Sequence, residues 1–86
     1  MKLQWTKRFA KEYRRLPQHI QKQTDKKLGF LLQDIRHPSL RAKKIEGEKQ
    51  DIYEGSITMN YRFLFLIEGD TYVLLTVGTH KDVLGK

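Results

Sequence analysis

Arg62 and His80 are the residues of this chain best suited to phosphate and proton chemistry. Arg62 is a guanidinium inside an apolar segment, Tyr61-Arg62-Phe63-Leu64-Phe65-Leu66-Ile67, and a guanidinium contacts a phosphate bidentately. His80 follows Gly78 at the exit of the last hydrophobic segment, and imidazole moves protons near neutral pH. Lys43 and Lys44 lie in a basic stretch, Lys81 follows the histidine, and Glu54 sits on a Tyr-led segment. Each has a plainer reading. Arg62 pairs with Glu54 or Asp82 at a strand end, and His80 is a loop histidine taking a backbone bond. Asp82 is then a local cap, and Lys43-Lys44 is ordinary surface charge.

Other chemistries are disfavoured. The chain has no Cys, which removes thiolate nucleophiles, disulfides and thiolate metal sites. His19 and His37 fall on or at the end of a helix and read as solvated. Three scattered histidines and no paired carboxylates at ligand spacing argue against a metal centre. No metal and no cofactor are expected.

The charge is uneven. The net value is +7, from 17 Lys and Arg against 10 Asp and Glu. Up to Lys49 there are 14 basic and 5 acidic residues, net +9; from Gln50 onward there are 3 and 5, net −2. A basic half before a near-neutral half favours a polyanion as partner or substrate. The alternative is a solvated Lys-rich helical surface. The longest apolar run, residues 63–67, falls far short of the ~20 residues that span a bilayer. Met1-Lys2-Leu3-Gln4-Trp5 lacks the apolar run of a secretory signal. A cytoplasmic protein without a membrane partner is the default expectation. The 86 residues allow one domain, 1–86, because there is no room for two cores.

These residues must be positioned by an α+β fold. Leu3 and Trp5 alternate with polar neighbours, which suits a short opening strand. Thr6 is placed to cap a helix carrying Phe9, Tyr13 and Leu16 on one stripe. Pro17 breaks it and starts a second, with Ile20, Thr24, Leu28, Leu31 and Ile35 inward, from about residue 17 to 36. His37-Pro38 ends it. Four strands are then expected: Arg41–Glu46, Asp51–Ile57, Tyr61–Ile67 and Thr71–Val77. Thr58-Met59-Asn60 and Glu68-Gly69-Asp70 are the turns, with Asn60 left-handed. The order is β-α-α-β-β-β-β, a mostly antiparallel twisted sheet with both helices on one face.

The last hairpin's register decides which side chains share a face. A three-residue loop pairs Ile67 with Thr71, Phe65 with Val73, Phe63 with Leu75 and Tyr61 with Val77. That set forms the core face. Arg62, Leu64, Leu66, Tyr72, Leu74 and Thr76 then share the bare face, and His80 extrapolates to the side of Arg62. A two-residue loop would separate Arg62 from His80; the longer loop segregates apolar residues better and is preferred. The uncovered Leu64, Leu66, Leu74 and Tyr72 would mark a partner surface, unless the tail or a second copy covers them.

The element order, with HPSLRAKKIEG, DIYEGSITMNYRFLFLIEGD and VLLTVGTHKDVL, resembles the RelE/ParE superfamily of toxin–antitoxin toxins. The resemblance spans almost the whole chain and rests on the ordered set of motifs. It implies the RelE-like fold and a type II toxin. In its RelE-like branch it implies metal-free cleavage of mRNA in the ribosomal A site. In its ParE-like branch it implies inhibition of DNA gyrase without nuclease activity. In both it implies a small, acidic cognate antitoxin. A third reading is a catalytically inactive interaction module.

RNA cleavage without metal needs a general base for the 2′-OH, a general acid for the 5′-oxygen and a fixed cation at the phosphorane. The resemblance matches His80 to the histidine of Gly-Thr-His-x-Asp and Arg62 to the arginine facing the scissile phosphate. Glu54 is an optional base. Lys43, Lys44 and Lys81 would position RNA, and Tyr53, Tyr61 or Tyr72 would stack on a splayed base, Tyr61 standing next to Arg62. Two departures stand out. Leu84 occupies the place of a terminal aromatic that is often catalytic, and Glu54 and Ser56 stand where other members carry Lys or His. The expected centre is therefore Arg62 and His80, meeting on the side of the sheet that the helices leave bare.

Overall fold

The computed structural model describes residues 1–47 and 50–84. Strand β1 (Lys2–Trp5) leads into helix α1 (Lys7–Arg15) and helix α2 (Gln18–Gln33). A 3-10 turn (Pro38–Leu40) follows, then β2 (Lys43–Lys44), β3 (Ile52–Ser56), β4 (Tyr61–Glu68), β5 (Thr71–Thr79) and a short helix α3 (His80–Leu84). The strands form one sheet in the order β1-β5-β4-β3-β2. Only β1–β5 is parallel; the other neighbours are antiparallel. This is the expected α+β arrangement of a helical hairpin on a mostly antiparallel sheet.

The caps follow from the side chains. Thr6 Oγ1 accepts the Phe9 N–H at 3.1 Å and donates to the Leu74 carbonyl at 2.8 Å. One hydroxyl thus starts α1 and ties it to β5. Helix α2 stops at Gln33, short of Arg36, because the Asp34 carboxylate accepts the Arg36 N–H at 2.8 Å. Such local side-chain bonding competes with a further helical turn. His37 is not simply solvated. Its ring stacks on Phe30 at 3.9 Å, and its Nδ1 accepts the Ser39 N–H at 3.2 Å, capping the 3-10 turn. That turn ends at Arg41, whose φ of +47° is left-handed.

The core lies between the helices and one face of the sheet. Phe9, Ile20, Leu28 and Leu31 meet Phe63, Phe65, Tyr72, Leu74 and Val77 there. Each such side chain contributes about 1.5–3 kcal/mol on burial. Gly55, paired with Phe63, is required by this contact: a Cβ there would lie 2.5 Å from the Phe63 ring.

The final hairpin differs from the expected register. Glu68 pairs with Thr71 and Phe65 with Leu74, so the loop is the two residues Gly69-Asp70. Gly69 at φ +57° fits the first position of a type II′ turn, whose twist matches the strands. Leu64 then pairs with Thr76, which leaves Leu75 as the extra residue of a β-bulge. The bulge shifts the register once more, so that Phe63 meets Val77 and Arg62 meets Gly78. Tyr72 and Leu74 are consequently in the core rather than on the bare face. On the face away from α1 and α2, Ile52, Leu66 and the buried Val73 share one cross-strand row, and Leu64 stands in the next row between Glu54 and Thr76.

Three smaller differences concern loops. The strand expected over residues 41–46 is reduced to Lys43 and Lys44, followed by one backbone bond from the Ile45 N–H to the Ile52 carbonyl at 2.8 Å. Asn60 is not left-handed; the Thr58 hydroxyl shapes the β3–β4 loop by accepting the N–H groups of Asn60 and Tyr61, each at 3.2 Å. The segment after β5 is helix α3, started by Thr79, whose hydroxyl accepts the Asp82 N–H at 3.1 Å. It packs over Gly78, where an added Cβ would lie 3.3 Å from Asp82 Cβ.

Candidate functional site

Alternation along the strands gathers charge on the face opposite the core. Tyr53, Phe63 and Phe65 point into the core, so Glu54, Ser56 and Arg62 point away from it. Lys43, cross-strand partner of Glu54, joins them. Together with Arg41 these residues line a cleft of about 290 Å³.

Glu54 is the buried centre of the cleft, with its side chain only 5% exposed. Lys43 Nζ stands 3.5 Å from Oε1 and Arg62 Nε 4.0 Å from Oε2. Oε2 is buried and has no hydrogen-bond partner among the described residues. A buried carboxylate needs such cationic neighbours, since an unpaired one is strongly disfavoured. Arg62 is itself tethered. Its Nη1 donates to the carbonyls of Thr58 and of Tyr61, the latter at 3.0 Å. The guanidinium therefore braces the β3–β4 loop while presenting its positive charge to the cleft. The left-handed backbone of Arg41 is a strained conformation for a residue with a Cβ, and it lies at the same cleft.

The expected meeting of Arg62 with His80 in one cleft is not found, and the remaining candidates lie outside it. His80 is exposed, begins α3 and does not line the cleft. Its backbone N–H donates to Asn60 at 3.0 Å, on the loop that Arg62 braces. Lys44 points the other way from Lys43 and pairs with Asp51 at 3.0 Å; that hydrogen bond raises its pKa. Lys81 is exposed on α3. Tyr61 is half-buried and lines a different cavity, with Glu12, Arg15 and Asp82. Among the described residues, no hydrogen bond joins Asp82 to His80, and no three His, Asp or Glu side chains cluster as metal ligands. No described helix is long and apolar enough to cross a membrane.

Arg41 was not singled out from sequence. Only its left-handed φ and the short pairing of β2 bring it beside Glu54, and neither leaves a clear mark in the sequence. Of the three stacking candidates, Tyr53 and Tyr61 are partly accessible and Tyr72 is only 5% exposed.

The same sheet order and helical hairpin recur in solved structures of small proteins. A YoeB/ParE toxin from Agrobacterium tumefaciens superposes with a TM-score of 0.80 at 16% identity, covering 93% of this chain and 99% of that one. The intact E. coli RelBE toxin–antitoxin complex contains a chain matching with a TM-score of 0.72 at 25% identity, over 91% and 94%. The RelB–RelE antitoxin–toxin complex of Methanococcus jannaschii gives a TM-score of 0.69 at 26% identity, over 95% of each chain. No curated protein sequence matches. The family model for the ParE toxin of the type II parDE toxin–antitoxin system matches residues 3–84. The chain belongs to this family of type II toxins.

Proposed function

We propose that this toxin is a metal-free endoribonuclease that cleaves mRNA on the ribosome, held inactive by a small acidic antitoxin. The observation that carries the reading is the cleft in which Arg62, Lys43 and Arg41 surround the buried Glu54 carboxylate on the helix-free face. A fixed cation of this kind stabilises charge developing on a phosphorane. Glu54 takes the 2′-OH proton at Oε1, which the exposed Lys43 uncovers when it turns to a flanking phosphate; Oε2 is buried, with no hydrogen-bond partner among the described residues. His80, on the loop-braced start of α3, returns a proton to the departing 5′-oxygen once RNA spans cleft and rim. Lys43 and Lys81 hold flanking phosphates, and Lys44 contributes once released from Asp51. The antitoxin assignment draws on the RelE chains solved with RelB and on the net charge of +7.

Cleavage of mRNA by translating ribosomes tests this, comparing the wild type with Arg62→Ala, Arg62→Lys and His80→Ala. Removal of either group is expected to lower the rate at least ~10-fold. Arg62→Lys separates loss of charge from loss of fold. Unchanged cleavage in all three variants would sink the assignment.

A second reading has its own observation. His80 lies outside the cleft, and Arg62 spends Nη1 on two carbonyls. A gyrase-binding toxin needs neither group for proton transfer. Inhibition of gyrase supercoiling that survives His80→Ala, without mRNA cleavage by the wild type, would select it.

A further inference from the structure

A second cavity, of about 480 Å³, lies on the other side of the β2 edge. Ile35, His37, Tyr53 and Ile67 wall it, and Arg36 and Arg41 stand at its rim. Arg41 also lines the Glu54 cleft. One left-handed arginine therefore joins an apolar, aromatic groove to the cleft lined by Lys43, Glu54 and Arg62. Ile67 is 41% exposed, an apolar side chain left in water at the mouth of the groove. Tyr53 stacks on Phe65 with an interplanar angle of 17°, which fixes its ring. His37 is fixed in the same way on Phe30. No acidic side chain lines the groove among the described residues.

We propose that this groove is a nucleobase subsite. It takes one unstacked base of a single RNA strand while Arg41 holds the phosphate leading into the Glu54 cleft. The inference rests on the RNA reading above and adds where a neighbouring base goes. Rigid aromatic walls suit it, because bases splayed out of a single strand stack on such side chains whatever their identity. The rim suits it as well, since Arg36 and Arg41 offer charge where the backbone enters. Both rings are already ordered by their core contacts, so little side-chain freedom is lost on binding. The competing occupant is an apolar anchor of an acidic protein segment.

The test uses short 2′-O-methyl RNA, which resists transfer through the 2′-oxygen, in intact form and with one abasic position walked along it. Binding to the full chain is measured by fluorescence anisotropy at fixed salt. For the wild type, one abasic position is expected to weaken binding about 10-fold. In Ile67→Glu, a substitution at an exposed strand position, that difference is expected to vanish. Arg41→Ala is expected to weaken intact and abasic RNA alike and to reduce the salt dependence. Equal wild-type affinity for intact RNA and every abasic form overturns the subsite while leaving the RNA reading in place. No binding of intact RNA overturns both. An abasic penalty that Ile67→Glu leaves unchanged, with loss of antitoxin binding in that variant, assigns the groove to protein docking instead.

Discussion

Arg62 Nε faces Glu54 Oε2 at 4.0 Å, with the arginine side chain 20% exposed and the glutamate 5%. The pair couples the cleft to the β3–β4 loop, because the same guanidinium donates to the Thr58 and Tyr61 carbonyls. Removing the arginine leaves a buried carboxylate with Lys43 as its one ion-pair partner among the described residues and strips two carbonyls of a donor. Arg62→Ala is expected to destabilise the fold by about 2–4 kcal/mol, below the top of the range for broken buried pairs because Arg62 keeps some solvent. Adding Glu54→Gln should recover part of that loss, since the stranded charge is gone. Urea midpoints of the two single variants and the double variant give the coupling. Additive losses would show that the two side chains do not depend on each other.

Gly55 and Phe63 make a second tight relationship. The Phe63 ring lies where a Cβ on Gly55 would be, at 2.5 Å from two ring carbons, and Phe63 is fully buried. Gly55→Ala should therefore cost about 1–3 kcal/mol through a displaced ring. Gly29, with nothing within 4 Å of its Cβ position, is the control. It lies inside α2, and Gly29→Ala should stabilise by about 0.5–1 kcal/mol. Thermal melts of both variants check the contrast, and equal shifts of one sign would contradict it.

Much of this architecture was legible because apolar spacing is a direct record of burial. Phe9, Ile20, Leu28 and Leu31 announce their helices, and Phe63 and Phe65 announce their face. The register of the last hairpin was not legible in the same way. Gly69 serves a two- or a three-residue loop, and the bulge at Leu75 is set by the fit of Phe63, Phe65, Leu74 and Val77 against the helices, not by a local signal. Arg62 is on the helix-free face as expected. Its route there includes the bulge, and its guanidinium turns back to the loop, a choice set by carbonyls that no pattern reveals. The Arg41 contribution depends on one positive φ and was invisible to periodicity. Helix α3 is too short to show a periodic stripe.

Glu12 closes an edge that β1 leaves open. Strand β1 pairs with β5 only as far as Leu74. Beyond it, Glu12 Oε1 accepts the Thr76 hydroxyl at 2.6 Å and the Val77 N–H at 3.1 Å. Thr76 and Val77 are both buried, so these donors need an acceptor. Glu12→Ala is expected to cost about 1–3 kcal/mol. Glu12→Gln keeps an acceptor oxygen and should cost less. Amide exchange at Val77, read by NMR, should speed up in Glu12→Ala more than at Phe65. Unchanged Val77 protection would mean that the carboxylate is not what shields this edge.

The Tyr13 hydroxyl donates to Asp25 Oδ1 at 2.7 Å, linking α1 to α2. That hydrogen bond, aided by burial and the Asp25 charge, pushes the phenol up to about 12. In the unfolded chain it titrates near about 10. Between these values the unfolded chain has released the proton and the folded protein has kept it. Linkage then requires stability to fall as pH rises from about 10 to about 12, with the contribution fully present below about 10. Burial also raises Tyr72, so the informative quantity is a difference in slope. Tyr13→Phe should lose stability with pH less steeply than the wild type across this window, in urea midpoints taken from pH 9 to 12. Absorbance titration at alkaline pH should show one late-titrating tyrosine fewer in the variant. Parallel stability curves would place the wild-type decline on another group.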